Sequence, residues 1–344
     1  MSSFINNIMT VKPGKLIDWA NPLEQDQHQN MGLSWMSEAN VSRPVEKCNF
    51  LNKDMLFWIG SDTETNYNKL IKQGIPEYWR FHKKVIPYKI NSFGFRAPEF
   101  DTVDWKNSYV ILGCSHVFGV GTAYEETIGQ YIARELDSPV INMGVGSATT
   151  TVIYNNLLKL IKDYGKPKGV FILWTYPTRQ TLVNYTVFED EDNWIEPFWR
   201  RTDIIPGSEL HKDFTIDDAY LNKCFYDRSI YIESAKQILH DTPFSMISSP
   251  RCWVMSSNIN PVKKIDNYPQ VIIPVPIKHQ IFHKLKFINA SSWHTLPEES
   301  KEWYLNEIGA RDISSWNNKS GPKHSHWGRL IHKCIGKTMA KNLK

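Results

Sequence analysis

Apolar residues in the middle of this chain follow two rhythms. Ser108-Tyr-Val-Ile-Leu112 is an apolar, β-branched run bounded by Gly113, which suits a strand buried on both faces. Pro139-Val-Ile-Asn-Met143 and Gly169-Val-Phe-Ile-Leu-Trp174 repeat the pattern. Between these runs the apolar spacing changes to that of a helix. Glu125 to Leu136 places Ile128, Ile132 and Leu136 on one face, and Thr149 to Tyr164 does the same with Ile153, Leu157, Leu160 and Ile161. Gly165 lies where a helix C-terminus wants a glycine. Strand–helix–strand–helix–strand with short connections predicts an α/β fold with a mainly parallel sheet and right-handed crossovers.

The flanks are less regular. Residues 1–40 read as a loosely ordered arm around the polar patch Gln25 to Asn30, with Trp19, Trp35 and Met36 able to pin it. Residues 41–104 read as an N-terminal extension and lead-in strand packed on the core. Within it Met55 to Ile59 suits a strand, and Tyr67 to Ile71 and Glu77 to Lys84 suit short helices. Tyr88 and Ile90 alternate with polar neighbours as in an extended edge, Asn91 to Gly94 makes a turn, and Arg96 reads as a surface or capping arginine. The main domain spans 105–344, with an insertion around 190–215 that carries Trp194, Pro197, Trp199 and Pro206 over the sheet edge. The acidic run Glu189 to Asp192 reads as a solvated loop. Ile216 to His240 reads as a long helix. Cys252 to Met255, Val271 to Val275 and Leu285 to Asn289 are expected strands, the second confined to an edge by Pro274 and Pro276. Helices are expected over Glu298 to Ile308 and from Gly328 to Asn342.

Composition narrows the function classes. An apolar share of 41% over 344 residues supports a real core. A net charge of +4 is too small for the dense basic stripe of a nucleic-acid binder. The 13 Trp, 15 Tyr and 16 Phe offer many flat surfaces to bury or to present to sugars. The five cysteines are scattered, odd in number and without a CxxC pair, which favours free thiols in a reducing compartment. No signal-peptide run and no stretch of ~18 apolar residues appears. The expectation is a soluble protein, cytoplasmic or virion-associated, with no membrane partner. His279 and His283 have helical spacing for a metal, but no third ligand is evident and the nearby prolines oppose a helix, so no metal is expected.

The chemistry centres on Gly113-Cys-Ser-His116. A serine leaving a buried parallel strand stands at the carboxyl edge of the sheet, where open α/β sheets bind ligands, and becomes a nucleophile if a histidine base reaches it. Gly113-Cys-Ser-His-Val-Phe-Gly119 resembles the first block of the SGNH (GDSL-type) hydrolases, and Asn142-Met-Gly-Val-Gly-Ser147 resembles the second. Tyr88 to Arg96 is similar to the lead-in of a bacterial and phage subgroup. Ala310-Arg-Asp312 followed by His326-Trp-Gly-x-x-x-His332 is similar to its closing block. The resemblance covers roughly Ile86 to Arg179 and the C-terminal segment. It implies a three-layer α/β/α sandwich with flavodoxin-like topology and a serine esterase that uses no metal or organic cofactor. In that reading Ser115 is the nucleophile, His326 the base and Asp312 the acid that orients it. The oxyanion donors are the N–H of Ser115 and a backbone N–H at Gly144 or Gly146. The implied substrate is a carbohydrate ester carrying an O-acetyl or other small acyl group.

The chain departs from the family pattern at named places. Cys114 replaces the aspartate of the first block, and Ser147 stands where the second block has its last glycine. Trp174-Thr-Tyr-Pro-Thr-Arg179 occupies the place of the third block's Gly-x-Asn-Asp, leaving Thr175 or Arg179 as substitutes that contact substrate. Lys323 stands three residues before His326, and Ile313 to Ser325 reads as an insertion after Asp312. A Ser–His dyad aided by a backbone carbonyl therefore also fits. His324 and His332 compete with His326, whose Trp-Gly neighbours favour it, while His116 reads as structural. Two other readings remain. One is a non-catalytic SGNH-like module, structural or glycan-binding, of the kind a phage particle carries. The other, nucleotide binding at Gly119-Val-Gly121, lacks a phosphate-loop lysine and a ribose-binding acid.

Overall fold

The computed structural model describes residues 56–146, 148–177, 179–184, 198–203, 218–248, 253–256, 271–279, 293–319, 321–323 and 326–343. The N-terminal arm, the acidic run, the expected strand Leu285 to Asn289, and Ser147, His283 and His324 lie outside the described residues. In chain order the described elements are α1 (Glu64–Lys72), β1 (Tyr109–Gly113), the one-turn helix α2 (Ser115–Phe118), α3 (Ile128–Leu136), β2 (Val140–Gly144), α4 (Thr150–Tyr164) and β3 (Gly169–Trp174). There follow β4 (Arg179–Asn184), β5 (Phe198–Asp203), α5 (Asp218–Ile238), β6 (Phe244–Ser248), β7 (Trp253–Ser256) and β8 (Val271–Pro274). The chain closes with α6 (Glu298–Trp303) and a π-helical turn (Tyr304–Ile308), then β9 (Ser315–Asn317), β10 (Gly321–Lys323) and α7 (Arg329–Lys341).

β1, β2, β3 and β6 form one parallel sheet in the order β2-β1-β3-β6. Alternation along β1 explains the layers. Val110 and Leu112 join a core with Val152, Leu157 and Leu160 of α4 and Ile232 and Ala235 of α5. Tyr109 and Ile111 point the other way, to Ile128 and Ile132 of α3 and Ile331, Ile335 and Met339 of α7. The sheet is thus covered on both faces, which is why its strands are apolar throughout, and the fold is a three-layer α/β/α arrangement. Because β2 and β3 flank β1 on opposite sides, the carboxyl end of β1 is the switch point where such sheets open a crevice. Ser115 follows that end directly.

Several elements differ from the expectation. Glu77 to Lys84 is a series of turns, not a helix. Trp79 and Phe81, two apart, both enter the core, and one helical face cannot present residues at that spacing. Met55 lies outside the described residues, and Leu56 to Ile59 and Tyr88 to Ile90 hold the isolated bridges Leu56–Tyr88 and Ile59–Asp62 in place of strands. The helix expected from Glu125 begins at Ile128, after a 3-10 turn over Tyr124–Glu126. The segment after Asp312 is a small hairpin, β9 paired with β10. β4, before the 190–215 insertion, and β5, within it, also pair antiparallel.

The described part of the N-terminal extension is built into this body. Leu70, Trp79, Phe81, Ile86 and Tyr88 share one core with Phe118, Trp293, Leu305, Ile313 and Trp316. Arg96, expected at the surface, is 1% exposed. Its Nη1 donates to the carbonyls of Gly119 at 3.0 Å and Thr122 at 2.9 Å, and the guanidinium lies 4.6 Å above the Tyr88 ring. Those carbonyls belong to the turn after α2 and face inward, where only a buried donor can satisfy them.

Candidate active site

The pairing register aligns three of the expected site residues. Gly113 of β1 pairs with Gly144 of β2 and with Leu173 of β3. Ser115, Gly146 and Thr175 each stand two residues beyond that last shared row. Ser115 opens α2, and its N–H has no hydrogen-bond partner among the described residues. Gly144 has a different task. Its N–H donates to Asn142 Oδ1 at 2.9 Å, while Asn142 Nδ2 donates to the Val117 carbonyl at 2.9 Å. A Cβ on Gly144 would collide with the backbone of Val117 and Phe118. Gly144 therefore lets α2 sit on the end of β2, and its N–H is spent within the fold. The Gly146 N–H has no partner among the described residues and remains the available donor on that side.

Asp312 and His326 are brought together: Asp312 Oδ2 and His326 Nδ1 are 2.5 Å apart, across the hairpin β9–β10 that separates them in sequence. A carboxylate oxygen accepts only, so Nδ1 carries the proton and Nε2 is the nitrogen left with a lone pair. The His116 ring stacks on Trp327 with centroids 3.7 Å apart and meets the His326 ring edge-on at 5.1 Å. The residue after the serine thus packs against the candidate base. No hydrogen bond joins Ser115 Oγ to His326 in this structure; the described side-chain hydrogen bonds of His326 run to Asp312 and Ser61. His332 lies apart, its Nδ1 donating to the Glu126 carbonyl at 3.1 Å.

The segment before the sheet supplies residues that sequence reading missed. Ser61 Oγ donates to Asp312 Oδ2 at 2.6 Å, from 251 residues away. Next to it, Asp62 accepts from Arg311 Nε at 2.8 Å and Nη2 at 2.7 Å, with both partners buried. Tyr88 Oη also donates to Asp62, and in turn accepts the Gly121 N–H at 2.9 Å. The Gly121 carbonyl accepts the Arg311 N–H at 2.8 Å. The loop after Ser115 and the segment carrying Asp312 are stitched together through Gly121, Tyr88, Asp62 and Arg311. The sequence signal for this was the glycine pair around Val120, which serves as a close-packing turn.

No family model matches this chain, and no curated protein matches it. Among solved structures, a protein of Desulfitobacterium hafniense DCB-2 assigned to the lipolytic G-D-S-L family is similar to 69% of this chain over 100% of its own, with 10% identity and a TM-score of 0.30. The likeness is loose, and the fold and site rest on their own strand pairing and contacts.

Burial sets the electrostatics of the site. It holds the His116 imidazole well below its usual pKa, reinforced by the nearby His326, His332 and Arg179. It lowers His332 to about 4, against the opposing pull of its bond to the Glu126 carbonyl. Both imidazoles are neutral at pH 7. Burial, with the Asp62 charge beside it, holds the Tyr88 phenol well above its usual range, so it stays a donor to Asp62. At the end of β3, Thr175 is fully buried and its Oγ1 accepts from Arg179 Nη1 at 3.3 Å. Tyr176 beside them is 40% exposed. Among the described residues no cluster of His, Cys, Asp and Glu has the arrangement of a metal site, and no helix is long and apolar enough to cross a membrane.

Proposed function

We propose that this chain is a serine esterase. Ser115 Oγ attacks the ester carbonyl, and His326 Nε2 takes its proton and returns it to the leaving alkoxide. Asp312 holds the imidazole in the Nδ1–H tautomer and stabilises the imidazolium as it forms. The oxyanion meets the N–H groups of Ser115 and Gly146, each donor of this kind contributing about 3 kcal/mol to the transition state. The observation that carries the reading is the 2.5 Å contact between Asp312 and His326. It commits Nδ1 and leaves Nε2 free, while the His116 ring seats the nucleophile's own turn against His326. The open Ser115–His326 contact is compatible with a resting site, because catalytic hydrogen bonds often tighten only on binding substrate.

For substrate we favour a small acyl group, such as O-acetyl, on a carbohydrate. Its support is Tyr176 at the carboxyl edge of the sheet, 40% exposed with the Arg179 guanidinium 5.7 Å from its ring, a side chain of the kind that lines sugar sites. A soluble setting, in the cytoplasm or on a particle, goes with that substrate. Release of p-nitrophenol from its acetate ester by the wild type and by Ser115→Ala tests the reaction. A loss of at least about 10³-fold in the variant is expected, and equal rates would remove Ser115 as the nucleophile.

A second reading, a non-catalytic glycan-binding module, is favoured by the missing Ser115–His326 bond and by Trp174 to Arg179, which has no asparagine, standing in the place of the resembled third block. It predicts no turnover in the same assay and unchanged glycan retention by Ser115→Ala.

A further inference from the structure

Ser61 lies beside the Asp312–His326 pair, and its role rests on the reading of His326 as the base. We infer that Ser61 is a positioning residue of the site, its hydroxyl sharing the Asp312 carboxylate with His326 and fixing how that carboxylate holds the imidazole. Ser61 Oγ stands 2.6 Å from Asp312 Oδ2 and 3.4 Å from His326 Nδ1, so one carboxylate oxygen takes two donors. The other oxygen, Oδ1, is buried with no hydrogen-bond partner among the described residues. Among the described residues the hydrogen bonds that orient the Asp312 carboxylate therefore run to Oδ2.

Ser61 is itself held from three sides. The Ile59 and Asp62 backbones exchange hydrogen bonds of 2.9 and 3.1 Å across it. Asn66 Nδ2 donates to its carbonyl at 3.2 Å. Asp62, the next residue, is fastened by Arg311, the residue before Asp312. The two chain segments are thus locked in register at the place where Ser61 must meet Asp312. A hydroxyl with this much backbone support and one short bond to the carboxylate is placed for it, not merely near it.

The expected consequence has a definite sign. A donor to the carboxylate draws off part of its negative charge, which weakens its pull on the imidazolium. Removing the hydroxyl makes Asp312 a stronger partner for protonated His326. The loss of Oγ near Nδ1 acts in the opposite sense, but at 3.4 Å it is the weaker contact. In Ser61→Ala the acid limb of kcat/KM should move upward, and the His326 ring signal should follow it in the same direction. Ser61→Thr, which keeps a hydroxyl, should return both toward the wild type.

The test follows the His326 ring proton by NMR against pH in full-length wild type, Ser61→Ala and Ser61→Thr, the signal being identified by its loss in His326→Gln. Hydrolysis of p-nitrophenyl acetate is measured on the same samples. If Ser61→Ala does not fold, Ser61→Cys, a near-isostere with a weak S–H donor, replaces it. An unchanged His326 titration in a folded Ser61→Ala or Ser61→Cys overturns the inference. So does an active Ser115→Ala beside an inactive Ser61→Ala, which would make Ser61 the nucleophile. The titration is read without turnover, so a chain that hydrolyses nothing still tests Ser61, whereas the failure of Ser115 appears only in the rates.

Discussion

Arg311 Nη2 donates to Asp62 Oδ2 at 2.7 Å, with 0% of the one side chain and 2% of the other open to solvent. The same guanidinium donates to the Phe57 carbonyl at 2.6 Å and lies 4.3 Å above the Trp58 ring. The N-terminal extension is thereby tied to the residue next to Asp312. Removing one member of a buried pair leaves an uncompensated charge, which typically costs about 3–5 kcal/mol. Asp62→Ala should lose stability on that scale in urea unfolding, with esterase activity lost at lower urea than in the wild type. A loss under about 1 kcal/mol would mean that the pair is exposed to water in solution.

Gly121 tests the seam between the two loops. It has φ +70°, and a Cβ there would come within 2.9 Å of the amide nitrogens of Arg311 and Asp312. Gly74 has a similar φ of +73° and nothing within 4 Å. Gly74→Ala should cost only the left-handed strain of about 1–2 kcal/mol. Gly121→Ala should cost clearly more and lower kcat, because the Asp312 segment has to retreat. Equal costs in thermal unfolding, with kcat unchanged, would refute a close-packed seam.

The parts of this molecule that could be read in advance are those whose signal is local. Val110, Ile111 and Leu112 announce a strand covered on both faces. The Thr149 side chain caps α4 by accepting the Val152 N–H at 3.2 Å, and Gly165 ends it at φ +80°. The parallel pairing and the crossovers follow from those elements, while the order β2-β1-β3-β6 comes from the structure. Ser61 and Asp62 gave no such signal, because their partners lie about 250 positions away and a serine–aspartate pair in a turn resembles any other turn. Arg96 was misplaced for the same reason. Nothing local marks an arginine whose partners are the inward-facing carbonyls of a loop still to come. Glu77 to Lys84 misled because its charged residues have helical propensity, while the tertiary demand to bury both Trp79 and Phe81 overrides it.

The buried histidines give a pH dependence of known sign. His332 has its folded pKa lowered to about 4, and burial lowers His116 as well, below an unfolded value of about 6.5. The unfolded chain then binds more protons between those limits. The stability these groups contribute is complete above about pH 6.5 and is lost as pH falls toward 4. The slope is at most roughly 1.4 kcal/mol per pH unit for each histidine. His332→Asn, whose amide can still donate to the Glu126 carbonyl, should flatten the fall of the thermal midpoint between pH 6.5 and 4. An unchanged slope would show that His332 titrates normally in the fold.

Asp312→Asn isolates the carboxylate. The amide preserves shape but favours the wrong imidazole tautomer, and a drop in kcat of about 10⁴-fold is expected with little change in KM. A drop under tenfold would favour a Ser–His dyad without an essential acid.

The central claim is that Ser115 is a nucleophile activated by His326. Its most direct measurement is covalent labelling by a fluorophosphonate, with the modified peptide identified by mass spectrometry. One label per chain on Ser115, slowed strongly in His326→Ala, is the predicted result. A label on another residue, or none while the acetate ester is still hydrolysed, would contradict it.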